Sequence, residues 1–262
     1  MEILFFLVAL LACLIGKICG MGGGVIIKPV LDATGILGVS AINFLSGCTV
    51  LGMSLWSVGK SFATGEKSID LRISTPLGIG AAVGGIAGKI LFNTVAEGFG
   101  SADRAGGVQA VILFAATIAT LIYTLKKNSV NSFHVRHWVP CVLIGVGLGM
   151  LGSFLGIGGG PFNMAVLFLF FSMPTKTAAQ NSLYIIMISQ LASLIKTLLA
   201  GSVPAVGTLL LAGMIICGVL GSEIGGRLHR RISEDLNTRL LEGAMILVMI
   251  ISLYNARVLF AG

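Results

Sequence analysis

The sequence has few charged residues: only 10% of its 262 positions are Asp, Glu, Lys or Arg. A soluble domain carries roughly a quarter of charged residues. No polar stretch in the chain is long enough to fold as a separate soluble domain. This scarcity of charge excludes an ordinary soluble protein.

Residues for metal binding and acid–base catalysis are also scarce. The five cysteines lie in apolar segments without metal-ligand spacing, and the three histidines lie in polar connections. Glu223 is the only acid expected to be partly buried, paired with Arg227 one helical turn later. We therefore expect no catalytic site, no metal, no cofactor and no nucleic-acid partner.

Hydrophobic residues, in contrast, make up 56% of the chain. Apolar stretches of membrane-spanning length recur to the C-terminus, which predicts an all-α, polytopic transmembrane helical protein. We predict ten apolar elements, at residues 3–19, 25–38, 40–60, 72–92, 105–125, 138–155, 161–173, 176–200, 204–222 and 239–258. The second element of each half is too short to cross a bilayer, which takes about 20 residues.

A glycine-rich segment occurs once in each half, at Gly20–Gly24 and at Gly156–Gly160. Two further matches follow in the same order: Ala41-Ile42-Asn43 with Ala179-Gln180-Asn181, and Gly88-Lys89-Ile90 with Gly226-Arg227-Leu228. Such self-similarity indicates an internal repeat. We divide the chain into a first membrane repeat at 1–125, a cytoplasmic linker at 126–137 and a second membrane repeat at 138–262.

Each glycine-rich segment joins a long apolar element to a short one, either as a hairpin that returns to its starting side or as one broken helix. The distribution of basic residues favours the hairpin. It places the linker, the loop at 60–72 and the four-arginine loop at 225–239 in the cytoplasm, whereas a broken helix places the four arginines outside. Hairpins give each half an odd number of crossings, so the repeats are inverted and both termini face outward.

The tips of the hairpins are the first candidate binding site. A helix start has free backbone N–H groups and a partial positive charge, and glycine allows a ligand to approach that backbone closely. Two tips that meet in the membrane would form an anion site from Gly22, Gly23 and Gly24 with Gly158, Gly159 and Gly160. The alternative is close helix packing through small residues.

Four side chains could complete this site. Lys28 follows the first tip at membrane depth, where a lysine is costly and indicates a function unless it snorkels to the interface. Asn43 and Asn181 occupy matching places, and Asn163 lies just after the second tip. These amides could donate to a bound oxyanion or hydrogen-bond across helices.

Several of these motifs resemble the TauE/SafE family of sulfite exporters and probable membrane transporters. The resemblance rests on the first glycine-rich segment with Pro29-Val30-Leu31, its second copy, Asn181-Ser182-Leu183 and Gly225-Gly226-Arg227-Leu228. It covers essentially the whole chain. It implies an inner-membrane transporter of small anions, often sulfur oxyanions or organosulfonates.

The sequence therefore predicts a secondary transporter that moves a small anion, such as sulfite or an organosulfonate, across the cytoplasmic membrane by alternating access. An anion channel, a carboxylate transporter and an intramembrane enzyme acting on a sulfur compound are the alternatives. No set of acidic residues that could relay protons identifies a coupling ion, so a proton gradient and a sodium gradient are both possible driving forces. The protein could also assemble into a homo-oligomer.

The charge distribution yields a testable topology. We expect the loop from Arg227 to Arg239 to be cytoplasmic and both termini to be extracytoplasmic, because cytoplasmic loops carry an excess of Lys and Arg. Single cysteines at positions 237 and 262 of a cysteine-free background report this through labelling of intact cells. Labelling of position 237 from outside would contradict the inverted arrangement.

Overall fold

The computed structural model describes residues 2–66, 68–99, 102–126 and 132–261, with only the backbone described at 102, 103, 260 and 261. These residues form helices and no strand, as the sequence predicts. The helices are α1 (Glu2–Cys19), α2 (Gly24–Asp32), α3 (Val39–Ala63), α4 (Leu71–Gly98), α5 (Ala102–Lys126), α6 (Trp138–Phe154), α7 (Gly160–Phe171), α8 (Thr175–Leu199), α9 (Thr208–Arg231) and α10 (Glu234–Ala261).

The helices confirm the ten predicted elements, but four ends differ from the prediction by more than four residues, including the end of α4 at Gly98 rather than at 92. Helix α2 ends at Asp32 rather than at 38, since the chain turns away through Gly35, which has a φ of 62°. Helix α9 continues to Arg231, because basic side chains are favourable in the last turn of a helix. Helix α10 begins at Glu234 rather than at 239, because its first turn carries two acidic residues, which the partial positive charge of a helix N-terminus favours.

Seven described helices are long and apolar enough to cross a membrane: α1, α3, α4, α5, α8, α9 and α10. Helices α2, α6 and α7 are shorter. The outer surface is apolar, and Leu143, Leu199 and Leu209 are 67%, 84% and 71% exposed. Such a surface is stable against lipid rather than water.

Two helix pairs pack closely through glycine. In the α4–α6 pair, Gly145 and Gly149 lie against the carbonyl groups of Leu77 and Ala81, and a Cβ at either glycine would overlap the carbonyl oxygen. In the α1–α9 pair, Gly221 faces the carbonyl group of Leu10 in the same way. Small residues that bring backbones together are the usual means of helix association in a membrane.

The main helix contacts are preserved when the two halves are exchanged. Helix α1 packs along α9 as α6 packs along α4, and α3 packs on α9 as α8 packs on α4. Helix α5 packs on its own counterpart, α10. This is the arrangement expected of two structural repeats, and the inverted orientation of the repeats in the membrane stays a prediction.

Helices α6 and α7 form a hairpin. The backbone N–H groups of Phe133 and Val135, just before α6, donate to the carbonyl groups of Leu169 and Phe170 at the end of α7, at 2.7 and 2.9 Å. The start of α6 and the end of α7 therefore lie on the same side. Residue 67, residues 127–131 of the predicted linker and Gly262 lie outside the described residues.

The structure changes one reporter of the predicted topology. Asn237 is fully buried, whereas Ser233, between α9 and α10, is exposed. A cysteine at 233 is therefore the better reporter, with the same expected labelling from the cytoplasm only.

The α4–α6 contact predicts that two neighbouring glycine-to-alanine substitutions in α6 change the free energy of unfolding differently. Gly149→Ala should lower the free energy of unfolding by about 1–3 kcal/mol through overpacking against Ala81. Gly147→Ala, whose Cβ meets nothing within 4 Å, should be neutral or stabilise the helix by up to about 1 kcal/mol. Thermal unfolding of the two purified variants in detergent measures the difference, and equal melting temperatures would contradict the close contact.

Candidate functional site

The two glycine-rich tips meet inside the protein. A Cβ at Gly24 would lie 2.7 Å from the carbonyl oxygen of Ile157, and a Cβ at Gly160 would lie 3.2 Å from the side chain of Val25. Gly22 faces Val50 and Ile186, near the middle of α3 and α8. The broken backbone is thus buried in protein, as it must be within a membrane.

The other predicted glycines are also closely packed. A Cβ at Gly23 would lie 2.5 Å from the sulfur of Cys13, and one at Gly158 would lie 2.7 Å from Nε2 of Gln190. Gly159 has a φ of 126°, which favours glycine, and it lies against the Asn163 amide. The structure therefore gives each tip glycine a packing role.

A polar cavity, here called cavity A, opens beside the second tip and has a volume of about 240 Å³. It lies among α3, α4, α8, the end of α6 and the connection between α8 and α9. Its rim includes the exposed residues Ser40, Asn93 and Ser202. Its inner lining includes Asn43, Lys89, Ser153, Gly156 and Gln190.

The inner part of cavity A offers groups suited to an anion. Oγ of Ser153 is buried without a hydrogen-bond partner among the described residues, whereas the unpaired Oδ1 of Asn43 is an acceptor, so Asn43 can donate to an anion only through Nδ2. The ammonium group of Lys89 donates to the hydroxyl of Thr197. An amide, a hydroxyl and an ammonium group can all donate to an oxyanion.

A second cavity, here called cavity B, has a volume of only about 30 Å³. Buried Lys17 donates to Oγ of Ser57 at 2.5 Å and to Oε1 of Gln180 at 2.9 Å. The remaining lining residues are Trp56, Lys60, Ser61, Glu66, Ser222, Glu223, Gly226 and Arg230.

Ion pairs join several lining residues of cavity B. Glu223 binds Nζ of Lys60 at 2.5 Å and Nε of Arg227 at 2.9 Å, and it accepts a hydrogen bond from Trp56 at 3.0 Å. Arg230 pairs with Glu66 at 2.9 Å. The predicted pairing of Glu223 with Arg227 is confirmed.

The two cavities correspond to each other when the halves are exchanged. Helices α3, α4, α6 and α8 line cavity A, while α8, α9, α1 and α3 line cavity B. The matching is also visible at single positions, because Ser153 in cavity A and Lys17 in cavity B immediately precede the two glycine-rich tips at the same distance. One of the two equivalent cavities is therefore wide, and the other is narrow, with ion pairs among its lining residues.

Lys28 has a partner that the sequence analysis missed. Its Nζ lies 2.6 Å from Oδ2 of Asp32, and both side chains are almost fully buried. The lysine therefore does not snorkel to the interface, and the expectation that Glu223 is the only partly buried acid is wrong. The four-residue spacing of Lys28 and Asp32 on one helix face is the signal that could have identified the pair.

The two other predicted amides lie apart from cavity A. Asn181 accepts from the backbone of Asp70 at 2.8 Å and from Ser74 at 2.6 Å, and it donates to two backbone carbonyl groups. These bonds use its capacity and hold the start of α4 against α8. Asn163 is 1% exposed, and its Oδ1 has no hydrogen-bond partner among the described residues.

Three residues of cavity A were absent from the predicted site: Lys89, Ser153 and Gln190. Lys89 with Asn93, and Gln190 with Ser193, are polar pairs spaced four and three residues apart on otherwise apolar helices. That spacing puts each pair on one helix face and could have revealed the cavity.

Comparisons with known proteins agree with this architecture. The family model described as sulfite exporter TauE/SafE matches residues 5–253. The chain is 22% identical to the Bacillus subtilis (strain 168) protein named "Probable membrane transporter protein YunE", across 99% of this chain and 98% of that protein. It is 25% identical to "Probable membrane transporter protein MJ0441" of Methanocaldococcus jannaschii, across 94% of this chain and 92% of that protein.

A third relative, "Probable membrane transporter protein YdhB" of Bacillus subtilis (strain 168), is 26% identical across 69% of this chain and 73% of that protein. No solved structure matches the chain. The family match spans nearly all of both halves, and the helices that carry it are long and apolar enough to cross a membrane. The chain is therefore a multi-pass membrane protein that belongs to the sulfite exporter TauE/SafE family of membrane transporters.

Proposed function

We propose that this protein is a secondary transporter that moves sulfite, an organosulfonate or a related sulfur oxyanion across the cytoplasmic membrane by alternating access. The observation that carries the proposal is the pair of equivalent cavities, of which cavity A is wide, at about 240 Å³, and cavity B is narrow, at about 30 Å³. Transporters built from repeats work by exchanging the conformations of the two repeats around a central site.

The inner part of cavity A is the proposed anion site. Lys89 supplies the positive charge, while Asn43, Ser153 and Gln190 supply donors of hydrogen bonds. Asn43 is the residue of the predicted site that lies in this cavity. The backbone of Gly156 brings the second tip to the floor of the cavity.

The other residues of the predicted site support this floor. The two tips meet behind it, where Gly24 lies against Ile157 and Gly160 lies against Val25, and this contact fixes the depth at which the cavity ends. Asn163 positions Gly159, and Asn181 joins α8 to α4. In this assignment the tip glycines shape the site, and side chains bind the anion.

Alternating access requires the narrow cavity to widen, and the contacts among its lining residues can be broken. Two ion pairs near the surface join its lining residues, Lys60 with Glu223 and Arg230 with Glu66. Ion pairs near a surface are worth about 1 kcal/mol or less each. With the predicted topology, cavity A opens to the outside and cavity B faces the cytoplasm.

The role of Lys89 predicts a loss of affinity. Lys89→Met should weaken sulfite binding by about 10- to 100-fold, since a hydrogen bond to a charged group contributes roughly 1.5–3 kcal/mol. Lys196→Met is the matched control, because Lys196 does not line cavity A. Calorimetric titration of purified variants with sulfite, sulfate and acetate measures both the affinity and the preference for sulfur oxyanions. Equal affinities of the two variants would remove Lys89 from the site.

The wide cavity A and the narrow cavity B predict different reactivities for cysteines introduced into them. In a cysteine-free background, Ser193→Cys in cavity A should react with a polar thiol reagent, and Ser57→Cys in cavity B should be protected. Adding Glu223→Gln should expose position 57, because it weakens the pairs with Lys60 and Arg227. A channel open at both ends predicts reaction at both positions without that substitution.

A further inference from the structure

A third polar cavity lies beside the end of α2, and residues of α5 and α10 complete its lining. Its volume of about 10 Å³ is close to the smallest space that holds one water molecule or one small ion. Five polar side chains line it: Lys28, Asp32, Gln109, Ser252 and Asn255. Each is at most 8% exposed.

Three oxygen atoms at this cavity lack a hydrogen-bond partner among the described residues: Oε1 of Gln109, Oγ of Ser252 and Oδ1 of Asn255. The amide groups are oriented by their nitrogen atoms. Nε2 of Gln109 donates to the carbonyl oxygen of Phe154, and Nδ2 of Asn255 donates to that of Pro29 at 2.7 Å. Both amide oxygens are thus buried acceptors, which proteins rarely leave unsatisfied.

The groups around this cavity have the chemistry of a cation site. A carboxylate, two amide oxygens and a hydroxyl are oxygen ligands of the kind that hard cations prefer. The cavity also lies at the C-terminal end of the short helix α2, which carries a partial negative charge. In transporters with broken helices, such helix ends coordinate sodium or protons.

Lys28 connects this cavity to cavity A. The ammonium group of Lys28 binds Asp32. Its Cδ atom lies beside Gly156, 3.1 Å from the position that a Cβ on this glycine would take. Oδ1 of Asn43 lies against the same glycine. Gly156 and Asn43 both line cavity A. A change of side-chain rotamer would therefore move the ammonium group of Lys28 only a short distance, from Asp32 to the floor of cavity A.

We propose that the small cavity binds a sodium ion on Asp32, Gln109, Ser252 and Asn255, and that sodium releases Lys28 toward an anion in cavity A. The anion part of this inference rests on the proposed function. Before the exchange Lys28 neutralises Asp32. Afterwards sodium neutralises Asp32 and Lys28 neutralises the anion, so no charge is left unpaired in the membrane.

The sodium site is tested first without any sulfur oxyanion. Thermal unfolding of the purified full-length protein is compared in NaCl and KCl of equal concentration, and sodium should raise the melting temperature by mass action. Ser252→Ala should lower sodium affinity by about tenfold, the factor expected for one polar contact to a charged group. Ser182→Ala is the control, because Ser182 is equally buried without a hydrogen-bond partner among the described residues and does not line this cavity.

Two outcomes of this test overturn the sodium site. Equal stabilisation by sodium and potassium would mean that the cavity holds only water. Equal sodium responses of the Ser252 and Ser182 variants would place any sodium effect elsewhere in the protein.

The exchange itself is tested by calorimetric titration with sulfite. Sodium should raise the sulfite affinity of the unsubstituted protein by about tenfold, within the usual range of coupling between sites. The Lys28→Met variant should bind sodium more tightly, because the lysine ammonium group no longer competes with sodium for Asp32. It should bind sulfite more weakly, and sodium should not change its sulfite affinity. A structural lysine predicts no such opposite changes.

The remaining outcomes separate this inference from the proposed function. A rise in sulfite affinity on acidification, without a sodium effect, would assign a proton to Asp32 and overturn the sodium site. Stabilisation by sodium with no sulfite binding under any condition would overturn the anion assignment and leave the sodium site intact. Unchanged sulfite affinity in Lys28→Met would overturn the exchange.

Discussion

The need to satisfy a broken backbone inside a membrane determines the rest of this structure. Lipid offers no hydrogen-bond partners, so each interruption at Gly20–Gly24 and Gly156–Gly160 has to be covered by protein. The two tips cover each other at Gly24 and Gly160, between the middle parts of α3 and α8. Any path for a polar solute through the molecule must therefore pass around this contact, and cavities A and B lie on either side of it.

The helices were largely predictable because their signal is local. Apolar length, the glycine-rich interruptions and the repeated motifs in both halves follow from the sequence alone, and the ten helices agree with them. Helix ends were less predictable. The basic run after Gly225 reads as a polar loop, but it continues α9, since charged side chains at a helix end can reach the interface while the backbone remains helical.

The candidate site was only partly predictable, because it depends on which helix faces meet. Asn43 and Asn181 occupy matching places in the sequence, yet Asn43 lines cavity A and Asn181 is fully used in hydrogen bonds that join α8 to α4. Their different roles arise from neighbours that are distant in sequence. The Lys28–Asp32 pair was available from local spacing, while Gln109 of α5 and Asn255 of α10 line the same cavity only because the fold brings these distant helices to the end of α2.

The correspondence between the two halves does not extend to charge at every position. Lys28 in α2 has Met164 at the matching place in α7, which is buried and uncharged. Two conformations related by exchanging the halves therefore do not have the same distribution of charge. The electric potential across the membrane acts on that difference, at roughly 2.3 kcal/mol for each elementary charge moved through 100 mV. A chain with two separately encoded halves can thus have a resting orientation set by voltage, which a symmetric pair of identical half-length chains cannot.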